Sequence, residues 1–214
     1  NLFTHNWGTN NDLIIGTWDY LYGVIVQCNQ SIDKLVSLKE QDPENEYYEI
    51  YRSEVRAIRA MYYYYLLDMF ARVPIVESSL TQMADVKQSE RTDVFNFVKK
   101  ELEESIPLLE DAKSAENGEF YGRMTKAAAY FLMAKLALNA EVYTDNDWTD
   151  NVRPDGKNIK FTVDGQEMNC WEATVAYCDK VKACGYALNL GTNGFLSNFV
   201  VNNEGSKENI FVIP

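Results

Sequence analysis

Apolar residues recur along this chain at alternating spacings of three and four, the spacing that lines one face of an α-helix. Leu21, Ile25, Cys28, Ile32 and Leu35 mark a first helix over 17–38, which the charged, proline-bearing KEQDPENE breaks. A second helix spans 45–72. Tyr48, Tyr51, Val55, Ile58, Tyr62, Tyr65 and Met69 step along it by three and four, and Pro74 stops it. A third, over 92–111, carries Phe95, Val98, Leu102, Ile106 and Leu109 on its face. Thr92 or Asp93 is placed to cap its start. Pro107 lacks the N–H for a bond back to Glu103, which predicts a kink in the last turn. A fourth, over 123–143, holds Ala127, Ala128, Ala129, Ala134, Ala137 and Ala140, small enough to let another helix come close. A fifth, over 171–184, shows Trp171, Val175, Cys178 and Val181 on one side, with Gly185 as its C-terminal cap.

Between the last two helices lies a long polar segment, read as a surface excursion. Within it FTVDGQEM places Asp-Gly between short alternating runs, the signal of a two-residue hairpin. The predicted class is all-α: an α–α superhelix of tetratricopeptide-like helix pairs with a long loop and a small β-hairpin excursion. Each pair leaves an apolar face that only the next can cover. The expected layout is a loop over 1–16, two helix pairs over 17–143, loop and hairpin over 144–169, and a partial third pair with a terminal strand over 170–214. The strand is read from SKENIFVIP. Asn1 is not an initiator Met, so the chain is expected to be a piece of a longer protein, with any targeting signal out of view.

The second helix contains four consecutive tyrosines, Tyr62 to Tyr65. Successive side chains are about 100° apart around a helix, so these rings point in four directions. Tyr62 and Tyr65 should face the partner helix, and Tyr63 and Tyr64 the next layer. That predicts a helix buried on most sides with satisfied hydroxyls; the alternative is a ligand stacked on Tyr63 or Tyr64.

Composition narrows the function. Of 214 residues, 46% are hydrophobic and 13% aromatic, enough for a sizeable core. The net charge of −12 argues against nucleic acid and against docking on anionic lipid, both of which need clustered Lys and Arg. No apolar run is long enough to span a bilayer. The single histidine, His5, leaves no Ser-His-Asp or Cys-His set to assemble, and Cys28, Cys170, Cys178 and Cys184 lack metal-ligand spacing. Cys28 lies on an apolar stripe and is read as a buried free thiol. Glu101, Glu103, Glu104, Glu110 and Asp111 are read as a solvated face of the third helix, with nothing favouring a glycosidase pair. Asp145, Asn146, Asp147 and Asp150 offer oxygen ligands suited to calcium, but the EF-hand order is missing and loop solvation is the favoured reading.

The stretch EVRAIRAMYYYYLLDMFARVPIV resembles the most recognisable block of the SusD/RagB family. Glu54, Arg56, Arg59, Ala60, the tyrosine run with Tyr63 and Tyr64, Asp68, Phe70 and Pro74 fall at matching positions, while Ala71 stands where the family usually has Gly. A second block, GRMTKAAAYFLMAKLALNAEVY, is similar at Gly122, Arg123, Lys126, Ala127, Leu132, Ala134, Lys135 and Leu138. AYCDKVKACGYAL and SKENIFVIP match weaker later blocks in the right order.

The resemblance implies a lipid-anchored protein on the outer face of the outer membrane of Bacteroidetes. Such a protein binds glycans and passes them to a SusC-like TonB-dependent transporter, without enzymatic activity. It also implies a much longer parent, of which this chain is the tetratricopeptide-like part. A peptide-binding RagB-like member and a tetratricopeptide-like protein-interaction module are the alternatives.

Among the motif residues, Glu54 and Arg59 are read as bonding to neighbouring helices or loop carbonyls, so that Arg59→Ala should misfold. For sugar contacts the candidates are Trp7, Asn10 and Asp12 near the start, and Trp148. They pair flat rings with amide and carboxylate groups suited to hydroxyls. The family's own ligand residues come from parts outside this chain, so none is carried over.

Overall fold

Asn11 sets the start of the first helix: its side chain accepts the Leu13 backbone N–H at 3.0 Å. Helix α1 therefore covers Asp12–Gln41 in this computed structural model, which describes residues 4, 6–203 and 206–213. It begins inside the segment expected to be loop. Thr17, the expected first residue, lies inside the helix, its hydroxyl donating to the Leu13 carbonyl at 2.7 Å. The expected stripe holds: Leu21, Ile25, Cys28 and Ile32 are buried, and Cys28 is a free thiol.

Helix α2, Tyr47–Phe70, runs through the middle of the molecule. It packs along α1 on one side and along α3, Arg91–Ser105, on another. This is why its burial exceeds any single stripe. Ala57, Ala60, Met61, Tyr62, Tyr63, Tyr64, Leu66 and Leu67 are all buried, whereas Tyr51 and Met69, on the expected stripe, are exposed. Tyr62 meets Tyr20 of α1, hydroxyl to hydroxyl at 3.2 Å. Ala71 ends the helix at φ 62° and ψ −77°, a backbone conformation that L residues with a Cβ rarely adopt.

In α3 the Asp93 carboxylate takes the Glu90 backbone N–H at 3.3 Å, while Thr92 bonds away to Asn146. The capping position is thus Glu90, ahead of both expected residues. At Pro107 the helix gives way to a single 3-10 turn, Ile106–Leu108, as the missing donor requires. Helix α4, Lys126–Leu138, stops at Asn139 and is followed by the one-turn α5, Ala140–Tyr143. Its small residues admit α6, Cys170–Ala183, with which it packs far more closely than with α3.

The strands β1, Lys160–Val163, and β2, Gln166–Asn169, pair antiparallel across Asp164-Gly165, both at positive φ as a two-residue hairpin turn demands. The hairpin does not stand out in solvent. Phe161 and Val163 are buried, and the Phe161 ring meets Phe95 of α3 edge-on at 6.0 Å.

Two further expectations are corrected. The buried face of α6 is Cys170, Ala173, Tyr177 and Val181; Trp171, Val175 and Cys178 are exposed. Asn169 caps α6 through the N–H groups of Trp171 and Glu172, both at 3.0 Å, and Gly185 at φ 86° closes it. The segment SKENIFVIP contains no strand among its described residues 206–213. A lone backbone bond, Ala187 N–H to the Lys207 carbonyl, does not make a ladder, and Ile210 and Phe211 pack on the core instead.

Candidate functional site

Arg59 projects from α2 into the space between α1 and α3, with only 3% of its surface exposed. Its Nε and Nη2 donate to one carboxylate oxygen of Glu101 at 2.9 and 2.6 Å. Its Nη1 donates to Asn29 Oδ1 at 2.7 Å and to the Glu77 carbonyl at 2.8 Å. Arg56, one turn earlier, holds the other Glu101 oxygen at 2.9 and 2.6 Å and reaches Glu104 at 2.5 Å. Glu101 is 2% exposed, so it does not belong to the solvated face on which sequence reasoning placed it. The missed signal was available: two arginines three apart on α2 oppose two glutamates three apart on α3.

The other motif residues are also committed within the fold. Glu54 accepts from Arg123 Nε at 3.2 Å, and the Arg123 guanidinium lies 4.9 Å over the Phe120 ring. Tyr63 is fully buried; its hydroxyl accepts the Val76 N–H at 2.8 Å, and its ring meets Phe97 edge-on at 4.9 Å. Burial pushes the Tyr63 phenol up to about 12. Tyr143 donates to Asp68 at 2.6 Å and lies 3.4 Å from the Tyr64 hydroxyl, and burial followed by that carboxylate drives its own phenol well above the usual range. The four tyrosines of α2 thus pack against different neighbours, and the rings of Tyr63 and Tyr64 are buried in the core.

The candidate sugar contacts gather at one end. Trp18 of α1 meets Phe70 at the end of α2 at 5.2 Å, and Thr92 at the start of α3 bonds Asn146 at 3.0 Å. The start of α1 and the loop after α5 therefore share that end. Trp7 is 44% and Trp148 66% exposed there. Asn10 lies in the turn before α1 and Asp12 in its first turn. His5 lies outside the described residues.

In the loop, Asp147 Oδ1 accepts the Thr149 N–H and hydroxyl, Asp150 accepts the Val152 N–H at 2.8 Å, and Asp145 lies 3.4 Å from Arg153. Among the described residues no group of three or more His, Cys, Asp and Glu side chains is arranged to hold a metal ion. Among them, too, no helix is long and apolar enough to cross a membrane.

Several clefts open on the surface of the described residues, and three of similar size lie against the helices. One of about 340 Å³ lies between α1 and the strap 74–86, lined by Trp18, Tyr22 and Met83. A second, also about 340 Å³, lies between α3, α6 and the hairpin, with Glu103, Tyr177 and Lys180. A third, of about 350 Å³, separates α2 and α4 from residues 208–211.

Fold and site together define a helical scaffold whose internal ion pairs fix the helices to one another and whose exposed Trp7 and Trp148 belong to segments at one end. The chain belongs to the SusD-like family described as starch-binding and associating with the outer membrane, whose model matches residues 1–138. It is 34% identical over 120 residues to the starch-binding protein SusD of Bacteroides thetaiotaomicron, covering 56% of this chain and 20% of that one. Among solved structures it resembles a SusD-like carbohydrate-binding protein from Bacteroides fragilis at 22% identity. The TM-score is 0.69, over 97% of this chain and 34% of the other. It also resembles a laminarin-binding SusD-like protein at 24% identity and a TM-score of 0.65, over 92% and 36% of the two chains. The chain thus spans a fifth of its curated relative and about a third of these structures.

Proposed function

We propose that this chain is the helical part of a cell-surface protein that binds glycans at the outer membrane and passes them to a SusC-like TonB-dependent transporter, with no chemical turnover. The observation that carries the reading is the family match over residues 1–138, which includes the exposed Trp7. The placement of Trp148 at the same end supports it. Two indole faces can pack on the C–H faces of sugar rings, while Asn10 and Asp12 offer hydrogen bonds to hydroxyls. The motif residues then act as scaffold, since Glu54, Arg56, Arg59, Asp68 and Arg123 are all engaged inside the fold.

Affinity electrophoresis through a panel of polysaccharides, with a peptide mixture alongside, tests the reading. The expected result is retardation by one glycan class, weakened by Trp7→Ala or Trp148→Ala. Retardation by no glycan, with a peptide response, overturns it and places the protein in the peptide-binding branch.

A further inference from the structure

The third cleft differs from the other two in being lined by a lysine that no carboxylate of the described residues pairs, whereas Lys180 of the second is bound to Asp164. One wall presents the rings of Tyr65 and Phe131, the latter 43% exposed. Lys135, one turn after Phe131 on α4, also lines it. Its ammonium lies 5.0 Å from the centre of the Tyr64 ring and 5.9 Å from that of Phe131. Across the cleft Glu208 keeps its charge, since its two oxygens accept neutral donors, the Asn189 N–H at 2.6 Å and an Asn198 amide hydrogen at 2.8 Å, and neither oxygen pairs with Lys135. Among the described residues no carboxylate lies within ion-pairing distance of Lys135. Among the described residues, ring faces are what this ammonium has for partners, and it borders a cleft wide enough to admit an anion.

We infer that this cleft takes the uronate unit of an acidic glycan. Two requirements select that ligand. The aromatic wall needs a flat, C–H-bearing face, which a pyranose ring supplies. The ammonium needs an anion close to that face, which the ring's own carboxylate supplies. A neutral sugar meets the first requirement and leaves the second unmet. The cleft volume of about 350 Å³ is within the range of small-ligand sites. Asn209, also on its lining, adds an amide for ring hydroxyls.

The inference rests on the glycan-binding reading and is tested separately from it. Calorimetric titration of the full chain compares trigalacturonate with its methyl ester. The acid should bind about tenfold more tightly, the value of one charged hydrogen bond at a part-exposed site. That preference should shrink as salt is raised towards about 0.5 M. Lys135→Met should abolish the preference, and Phe131→Ala should weaken both ligands. Equal binding of acid and ester, or a preference that survives Lys135→Met, overturns the inference. Retardation by neutral polysaccharides without any uronate preference would do so too, and leave the glycan reading standing. Silence toward every polysaccharide, acidic ones included, would take both.

Discussion

Glu101→Gln removes one charge from the centre of the fold and leaves its shape nearly intact. In the native protein this carboxylate receives four hydrogen bonds from Arg56 and Arg59, between 2.6 and 2.9 Å. After the change Arg59, with a side chain 4% exposed, keeps only neutral partners, Asn29 and the Glu77 carbonyl. A buried charge deprived of its counter-ion costs about 3–5 kcal/mol. For a chain of this size about 1 kcal/mol moves the melting temperature by roughly 2–4 °C. The expected loss is therefore roughly 6–20 °C, read by circular dichroism and cross-checked by urea titration. Arg59→Met combined with Glu101→Gln should lose clearly less than the sum of the two single changes, because no unpaired cation remains to be buried. Arg56 partly masks the effect through Glu104, so the cycle is run on Arg59. A single-variant loss below about 1 kcal/mol, the value of an exposed pair, or strict additivity of the two changes, would refute the reasoning.

Two further outcomes follow from local geometry. Burial pushes the phenols of Tyr62 and Tyr63 up to about 12, against an ordinary value of about 10. Between those values the unfolded chain binds fewer protons than the folded one, so the stability present below about pH 10 declines as pH rises towards 12. Near-ultraviolet tyrosinate absorbance should complete its rise only as helical dichroism is lost; full ionisation with the helices intact would contradict the burial argument. Ala71→Gly should raise the melting temperature by roughly 2–4 °C. Relief of the positive-φ backbone outweighs the extra unfolded-state entropy of glycine by about 1 kcal/mol, and no change or a lower melting point would mean Ala71 carries no strain.

Where local chemistry has a single solution, the sequence could be read. Asp164-Gly165 between short alternating runs admits one turn, and the stripe from Phe95 to Leu109, along α3 and the 3-10 turn after it, is buried as its spacing requires, except for a half-buried Ile106. It could not be read where two patterns share a period. On α6 both Trp171-Val175-Cys178 and Cys170-Ala173-Tyr177-Val181 fit a helix, and the choice is made by the neighbours. A Cβ added to Gly156 would come within 2.6 Å of Cys170 Sγ, so that loop and the hairpin fix which face turns inward. Glu101 was misplaced because charge was weighed ahead of position. It sits three residues after Val98 and next to Leu102, both fully buried, and so on the inner face. The SKENIFVIP segment has strand-forming residues, but Ile210 and Phe211 pack on the helical core and its described residues pair with no strand, a fact of topology alone. The same holds for the candidate site: nothing in the spacing of Trp7 and Trp148 tells that α1 and the loop after α5 share an end.

That shared end gives the buried ion pairs a consequence beyond stability. Apolar contacts between α1, α2 and α3 are non-directional, and two helices packed only by them can slip by one turn, about 5.4 Å, at modest cost. Arg59 removes that freedom. Its guanidinium is planar, and it bonds Glu101 on α3, Asn29 on α1 and the Glu77 carbonyl of the strap at once, so the axial position of α2 is fixed against three elements. Asn29 in turn donates to the Val76 carbonyl at 2.8 Å, and Tyr63 accepts from the Val76 N–H, which ties the strap to both α1 and α2. The start of α1, the end of α2 and the start of α3 all lie at the end where Trp7 and Trp148 stand. A one-turn slip of α1 would displace the loop before it by the diameter of a sugar ring relative to the loop after α5. The polar lattice at the centre of the helices therefore sets the spacing of the exposed rings at their end.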